Sequence, residues 1–123
     1  MGSHFSWALD ESKYLRIDEV RKLRNSSIKE RYLAIEQGRV TPVRDWFMIE
    51  LGLNTGLRVG EMRNLKCGDL HIQGDQSSLI VRKGKGGKSR IVHINKEFKS
   101  KCEWFLKWKI PRGQKVGEGD YLL

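Results

Sequence analysis

A chain of 123 residues, 38% of them hydrophobic and spread along most of its length, is sized for one compact domain, which excludes wholesale disorder. No apolar run approaches ~20 residues, which excludes a membrane-spanning helix. The net charge of +9 is unevenly placed: Arg82 to Lys115 hold twelve Lys/Arg against Glu97 and Glu103, a surplus of +10, whereas in the remainder twelve Lys/Arg face thirteen Asp/Glu. A basic half beside a nearly neutral half points to a polyanion, most simply nucleic acid; a solvated lysine-rich surface is the plainer alternative.

Residues 1–13 read as a tag remnant and lead-in: Met1-Gly2-Ser3-His4 has the form of an expression scar, and no signal-peptide pattern follows it. Ile17, Val20 and Leu23 recur at helical spacing, with Asp18 and Glu19 in the first turn, where the helix dipole favours acids. Ser27-Ile28-Lys29-Glu30 matches a capping box and predicts a second helix, with Ile28, Tyr32 and Ile35 on one face and a stop at Gly38. Thr41-Pro42 predicts an N-cap followed by proline at the first helical position. The stretch it opens, Val43 to Asn54, is apolar on most sides and reads as the buried central helix. Gly56 ends it, and a short helix from about Val59 to Leu65 follows.

The texture then changes. Leu70-His71-Ile72, Leu79-Ile80-Val81 and Ile91-Val92-His93-Ile94 are short and rich in β-branched residues, separated by Gly74-Asp75 and a Gly-Lys tract, and predict three antiparallel strands. Asn95 can cap a last helix that carries Phe98, Cys102 and Phe105 on its apolar face and ends at Pro111 and Gly113. Trp104 and Trp108, one turn apart, read as packing residues. The order predicts an α+β fold, mainly helical, with helices packed with a small three-stranded antiparallel sheet. Cys67 and Cys102 form no CxxC and meet no histidines at ligand spacing, so no metal and no cofactor are called for, and two reduced thiols fit a cytoplasmic protein. His71 and His93 each stand alone near apolar neighbours and read as structural.

Gly84-Lys85-Gly86-Gly87-Lys88-Ser89 invites a phosphate-loop reading, and the spacing refuses it. The motif needs a glycine where Arg82 stands, and it must open a helix where Ile91 to Ile94 read as a strand. The tract predicts a tight β-hairpin loop instead, with lysines at its tip that can approach a phosphodiester.

Thr55-Gly56-Leu57-Arg58-Val59-Gly60-Glu61 lies between the buried helix and the short one. An arginine at a turn between helices is well placed to be held rigid, and its planar fork can bind two phosphate oxygens. Glu61, three residues on, can orient it. The alternative is an arginine that only caps a helix and pairs with Glu61. With Leu65, Asp69, the three short strands and the Gly-Lys hairpin ending at Arg90, this run resembles the tyrosine recombinase (phage integrase) family. That family carries a Thr-Gly-Leu-Arg-x-Gly-Glu motif followed by a Lys-Gly-Lys-Gly-x-Lys-x-Arg hairpin. The resemblance also takes in Tyr14-Leu15 and Asp18-Glu19-Val20, and so covers residues 14–123 as a partial catalytic domain.

The resemblance implies DNA breaking and rejoining through a 3′-phosphotyrosyl intermediate, without metal or nucleotide. Arg58 matches the first catalytic arginine and Lys85 the hairpin lysine that protonates the departing 5′ oxygen. Glu61 matches the supporting acid, and Lys83, Lys88 and Arg90 are the DNA-binding positions of the hairpin. The implied partner is double-stranded DNA, on which the parent protein oligomerises. The family's His-x-x-Arg motif, its His/Trp position and its nucleophilic tyrosine are expected after Leu123, and its helical DNA-clamp domain is also expected outside these residues. Tyr14 and Tyr32 lie in the wrong places for the nucleophile, and Gly119-Asp120-Tyr121-Leu122-Leu123 resembles a segment that precedes it. The 123 residues alone are therefore expected to be inactive. Arg16 stands where the family has a helix-capping Thr or Ser, which is expected to weaken the first helix. A non-enzymatic DNA-binding module on the same scaffold and a generic basic protein-interaction domain are the competing classes.

Overall fold

The computed structural model describes residues 16–82 and 88–123. In chain order its elements are α1 (Ile17–Gln37), α2 (Thr41–Thr55), α3 (Val59–Arg63), β1 (Leu70–His71), β2 (Ser77–Arg82), β3 (Ser89–Ile94) and α4 (Lys96–Lys109), with 3-10 turns at Cys67–Asp69 and Ile110–Arg112. This is the expected mainly helical α+β architecture with one three-stranded antiparallel sheet. The chain divides into two compact units, Met1–Val59 and Gly60–Leu123.

In the first unit α1 packs along α2. The helix break expected at Ser27 does not occur, and α1 runs through it unbroken. No glycine or proline interrupts Ile17 to Gln37. Ser27 is buried and donates its hydroxyl to the Arg24 carbonyl one turn back, at 2.9 Å, so it caps nothing. The predicted face is corrected too: Tyr32 is 61% and Ile35 37% exposed, while α1 buries Ser27 and Ala34, seven residues apart on one side. At its start the Glu19 carboxylate accepts the Arg16 N–H at 3.0 Å, which supplies a cap despite the missing Thr or Ser. Gly38 ends α1 in the left-handed conformation at φ 70°, as glycine allows without strain.

Helix α2 begins at Thr41, one residue before the predicted start, with proline in its first turn. It buries Val43, Trp46, Phe47 and Leu51. Among them Glu50 is fully buried, and its carboxylate receives the Arg24 Nε–H at 3.2 Å and the Asn54 amide at 3.3 Å. Removing a partner from a buried carboxylate held this way is strongly destabilising, because it leaves an uncompensated buried charge. The Arg31 guanidinium lies 4.2 Å from the centre of the Trp46 ring.

In the second unit the strand order is β1-β2-β3, with Leu70 opposite Leu79, and β2 and β3 paired from Ser77–Ile94 to Arg82–Ser89. Leu79 and Val81 point to the buried side. His71 and His93 are exposed despite their apolar neighbours in sequence. Both lie opposite Ser78, and strand alternation puts all three on the other side, where the histidines are exposed. Asn95 caps α4 as expected, accepting the Phe98 N–H at 2.8 Å. Phe98, Cys102, Phe105 and Trp108 are buried, and Trp104 and Trp108 stack at 6.4 Å between ring centres, in line with a packing role.

The last residues are tied to the segment after α3. Cys67 N–H donates to Asp120 O, Gly68 N–H to Glu118 O, and Leu122 N–H to Leu65 O. Gly68 leaves room for this approach, since a Cβ there would lie 2.8 Å from the Glu118 oxygen. Lys109, only 2% exposed, donates from Nζ to the carbonyls of Tyr121 and Leu122. It continues the apolar face Phe98, Cys102, Phe105 of α4, and a lysine on such a stripe is the sequence signal of a buried tether.

Burial pushes both thiols up, Cys102 from 9.0 to about 12. The folded state therefore keeps its thiol protons, and the stability they give is complete below pH ~9 and lost as pH rises towards 12. We expect the unfolding free energy to fall above pH 9, and Cys102→Ala to flatten that fall. Denaturant titrations at pH 8 and pH 10.5 would read both. Equal pH slopes for the two proteins would show that Cys102 does not carry the effect.

Candidate functional site

The turn that carries Arg58 is built by its neighbours. Thr55, the last residue of α2, donates its hydroxyl to the Leu51 carbonyl and accepts the Leu57 N–H at 3.3 Å. Gly56 follows with φ 70°, a left-handed conformation that other side chains adopt only under strain, and its N–H closes on Gly52 O. Leu57 is buried, anchoring the turn, and Arg58 is the exposed residue next to it. The sequence Thr-Gly-Leu-Arg thus makes a fixed turn with a cation at its outer end.

Glu61 lies in α3. Its carboxylate takes Arg90 of β3 in a two-pronged pair, Nη1 to Oε2 at 2.8 Å and Nη2 to Oε1 at 3.2 Å. This hydrogen bonding pushes the Arg90 guanidinium above its ordinary pKa. One strand residue away on the partner strand, Arg82 pairs with Asp69, Nη2 to Oδ1 at 2.9 Å. The Asp69 carboxylate is 1% exposed, and its other oxygen accepts the Lys66 N–H at 2.9 Å. Lys88 is exposed. Lys83, Lys85 and the hairpin glycines at 84, 86 and 87 lie outside the described residues.

Of the residues singled out from sequence, the structure joins Glu61 to Arg90. The sequence alone points Glu61 to Arg58 and Arg90 to DNA, and carries no sign of the pair between them. It carries no sign of the Asp69–Arg82 pair either, for neither pair has a local spacing signal: 29 residues separate Glu61 from Arg90. Among the described residues, no group of three or more His, Cys, Asp or Glu gathers as for a metal ion, and no helix is long and apolar enough to cross a membrane.

Comparison with known proteins gives the constellation a context. Residues 13–123 match the phage integrase family. The chain is 36% identical over 100 residues to tyrosine recombinase XerD of Listeria innocua serovar 6a, covering 81% of this chain and 30% of that protein. It is 43% identical over 65 residues to tyrosine recombinase XerA of Pyrococcus horikoshii, covering 53% of this chain and 22% of the relative. A crystal structure of XerA recombinase superposes with a TM-score of 0.65 at 29% identity, over 89% of this chain and 33% of that one. At 24% identity, XerH site-specific recombinase bound to a palindromic difH substrate shares the fold, with a TM-score of 0.62 over 89% of this chain and 28% of that one. The chain thus spans about 30% of the length of the XerD relative. It belongs to the phage integrase family of tyrosine recombinases.

Proposed function

We propose that residues 14–123 are the first part of the catalytic domain of a site-specific recombinase, whose whole protein breaks and rejoins double-stranded DNA through a 3′-phosphotyrosyl intermediate. The observation that carries this reading is the built turn Thr55–Arg58, which presents an exposed arginine on a rigid backbone in a chain of this family. In this reading Arg58 holds a non-bridging oxygen of the scissile phosphate and stabilises the charge that develops there. Lys85 protonates the departing 5′ oxygen. Glu61 is the supporting acid, and Lys83 and Lys88 meet neighbouring phosphates. Arg90 is the basic residue that follows the hairpin and meets DNA with the donors that its pair with Glu61 leaves over. The two free thiols, Cys67 and Cys102, support a cytoplasmic protein, and in this reading the whole protein oligomerises on its site.

Two experiments test this. The 123-residue chain should bind duplex DNA weakly, with little sequence preference, and lose affinity steeply with salt because lysines and arginines release counterions from phosphates. Equal affinity at 50 and 200 mM salt would favour the generic basic domain. On a suicide substrate the same chain should give no covalent protein–DNA adduct, since Tyr14, Tyr32 and Tyr121 do not match the nucleophile. An adduct would return Tyr121 to consideration. A full-length protein that binds its site but never forms the adduct would favour the non-enzymatic module.

A further inference from the structure

We infer that Arg82 and Arg90 are positioning residues: two ion pairs, one on each side of the β2–β3 ribbon, anchor the strand ends that flank residues 83–88. The register supplies the argument. Strand β1 pairs with Ser78 and Leu79 of β2, so among the described residues the last three rungs, Ile80–Ile91, Val81–Arg90 and Arg82–Ser89, have no third strand beside them. A two-stranded ribbon is marginal on its own and twists readily.

Arg90 sits opposite the buried Val81 and therefore shares its side of the ribbon, whereas Arg82, the next residue along β2, points to the other. From these two sides they reach two different carboxylates. Arg90 takes Glu61 of α3 with both prongs, and Arg82 takes Asp69, itself buried and held by the Lys66 N–H. A single pair would leave the ribbon free to rotate about it; pairs on opposite sides resist twist in both senses. Arg90 thereby gives one N–H from each terminal nitrogen to the Glu61 carboxylate. Lys88, exposed and just before β3, is left to meet phosphate.

The anchoring stands on these contacts alone. Its consequence, that the ribbon sets where Lys85 is delivered, rests on the reading of Lys85 as the proton donor. The test has two arms. In the first, amide hydrogen exchange is measured on the 123-residue chain for the wild type, Arg90→Gln, Glu61→Gln, their double variant, and Arg82→Gln. Exchange at residues 80–82 and 89–91 should rise about threefold or more in each single variant, with the amides of α4 unchanged. Arg90→Gln and Glu61→Gln should match, and the double variant should add nothing. Wild-type exchange in both Arg90→Gln and Glu61→Gln overturns the anchor, and if one of them fails to fold the other decides.

In the second arm the full-length protein cleaves an ordinary substrate and one with a 5′-bridging phosphorothiolate, whose leaving group needs no proton. Arg90→Gln should be slow on the first and largely restored on the second, as Lys85→Ala should be. If Lys85→Ala is not restored, the reading of Lys85 fails while the exchange result stands. If Lys85→Ala is restored and Arg90→Gln is slow on both substrates, Arg90 serves the phosphate directly and the inference is wrong.

Discussion

Arg58→Lys in the full-length protein should slow DNA cleavage by about a hundred- to thousand-fold, the usual cost of removing a donor aimed at transition-state charge, or about 3–4 kcal/mol. Lysine keeps the positive charge, so the loss isolates geometry. A guanidinium offers two parallel N–H groups in a plane that matches two phosphate oxygens; an ammonium offers one compact charge on a flexible stem. The turn sharpens this contrast. Gly56 in the left-handed conformation and buried Leu57 fix the backbone one residue away, so the fork of Arg58 begins from a defined point. Binding to the site should weaken far less than cleavage, because the donor matters most as charge develops on the phosphate. The measurement is single-turnover cleavage beside equilibrium binding, at one salt concentration. If Arg58→Lys cleaves within threefold of wild type, Arg58 is a turn residue with a solvated side chain.

How far the sequence could be read depended on whether a signal was local. Gly38, Gly56 and Asn95 were legible because a left-handed cap or a side-chain cap is decided within a few residues, and each is found where expected. Local signals also misled: the capping-box pattern at Ser27 is real as a pattern. Yet an uninterrupted helix needs no second start, and a buried serine satisfies its hydroxyl on the preceding turn just as well. The exposure of the histidines was not legible for a related reason. Their apolar neighbours in sequence point to the opposite side of the sheet, so adjacency in the chain said nothing about burial.

The site divides in the same way. Arg58 was legible because its turn and its motif are one contiguous run. The partner of Glu61 was not, because the antiparallel register of β2 and β3 brings Arg90 to it from 29 residues away, and no spacing rule encodes that register. Proximity along the chain points to Arg58 and carries no signal of Arg90. The Asp69–Arg82 pair was hidden for the same reason, although a buried aspartate just before a strand is the kind of residue that requires a cationic or backbone partner.

Lys85→Ala in the full-length protein should also lose two or more orders of magnitude in cleavage rate, by a different route. General acid catalysis contributes about 10²–10⁴-fold when the leaving oxygen must be protonated as its bond to phosphorus breaks. Sulfur is a far better leaving group and departs as a thiolate, so a 5′-bridging phosphorothiolate removes the need for the proton. On that substrate Lys85→Ala should recover most of the lost rate. Arg58→Lys should recover little, because the non-bridging oxygens and their developing charge are the same in both substrates. The pH profiles should separate the two as well. A wild-type rate that falls as a lysine deprotonates should lose that limb in Lys85→Ala and keep it in Arg58→Lys. A wild-type rate for Lys85→Ala on the ordinary substrate would reduce Lys85 to a hairpin lysine. Equal rescue of both variants by sulfur would mean that the proton and the charge are not handled by different residues.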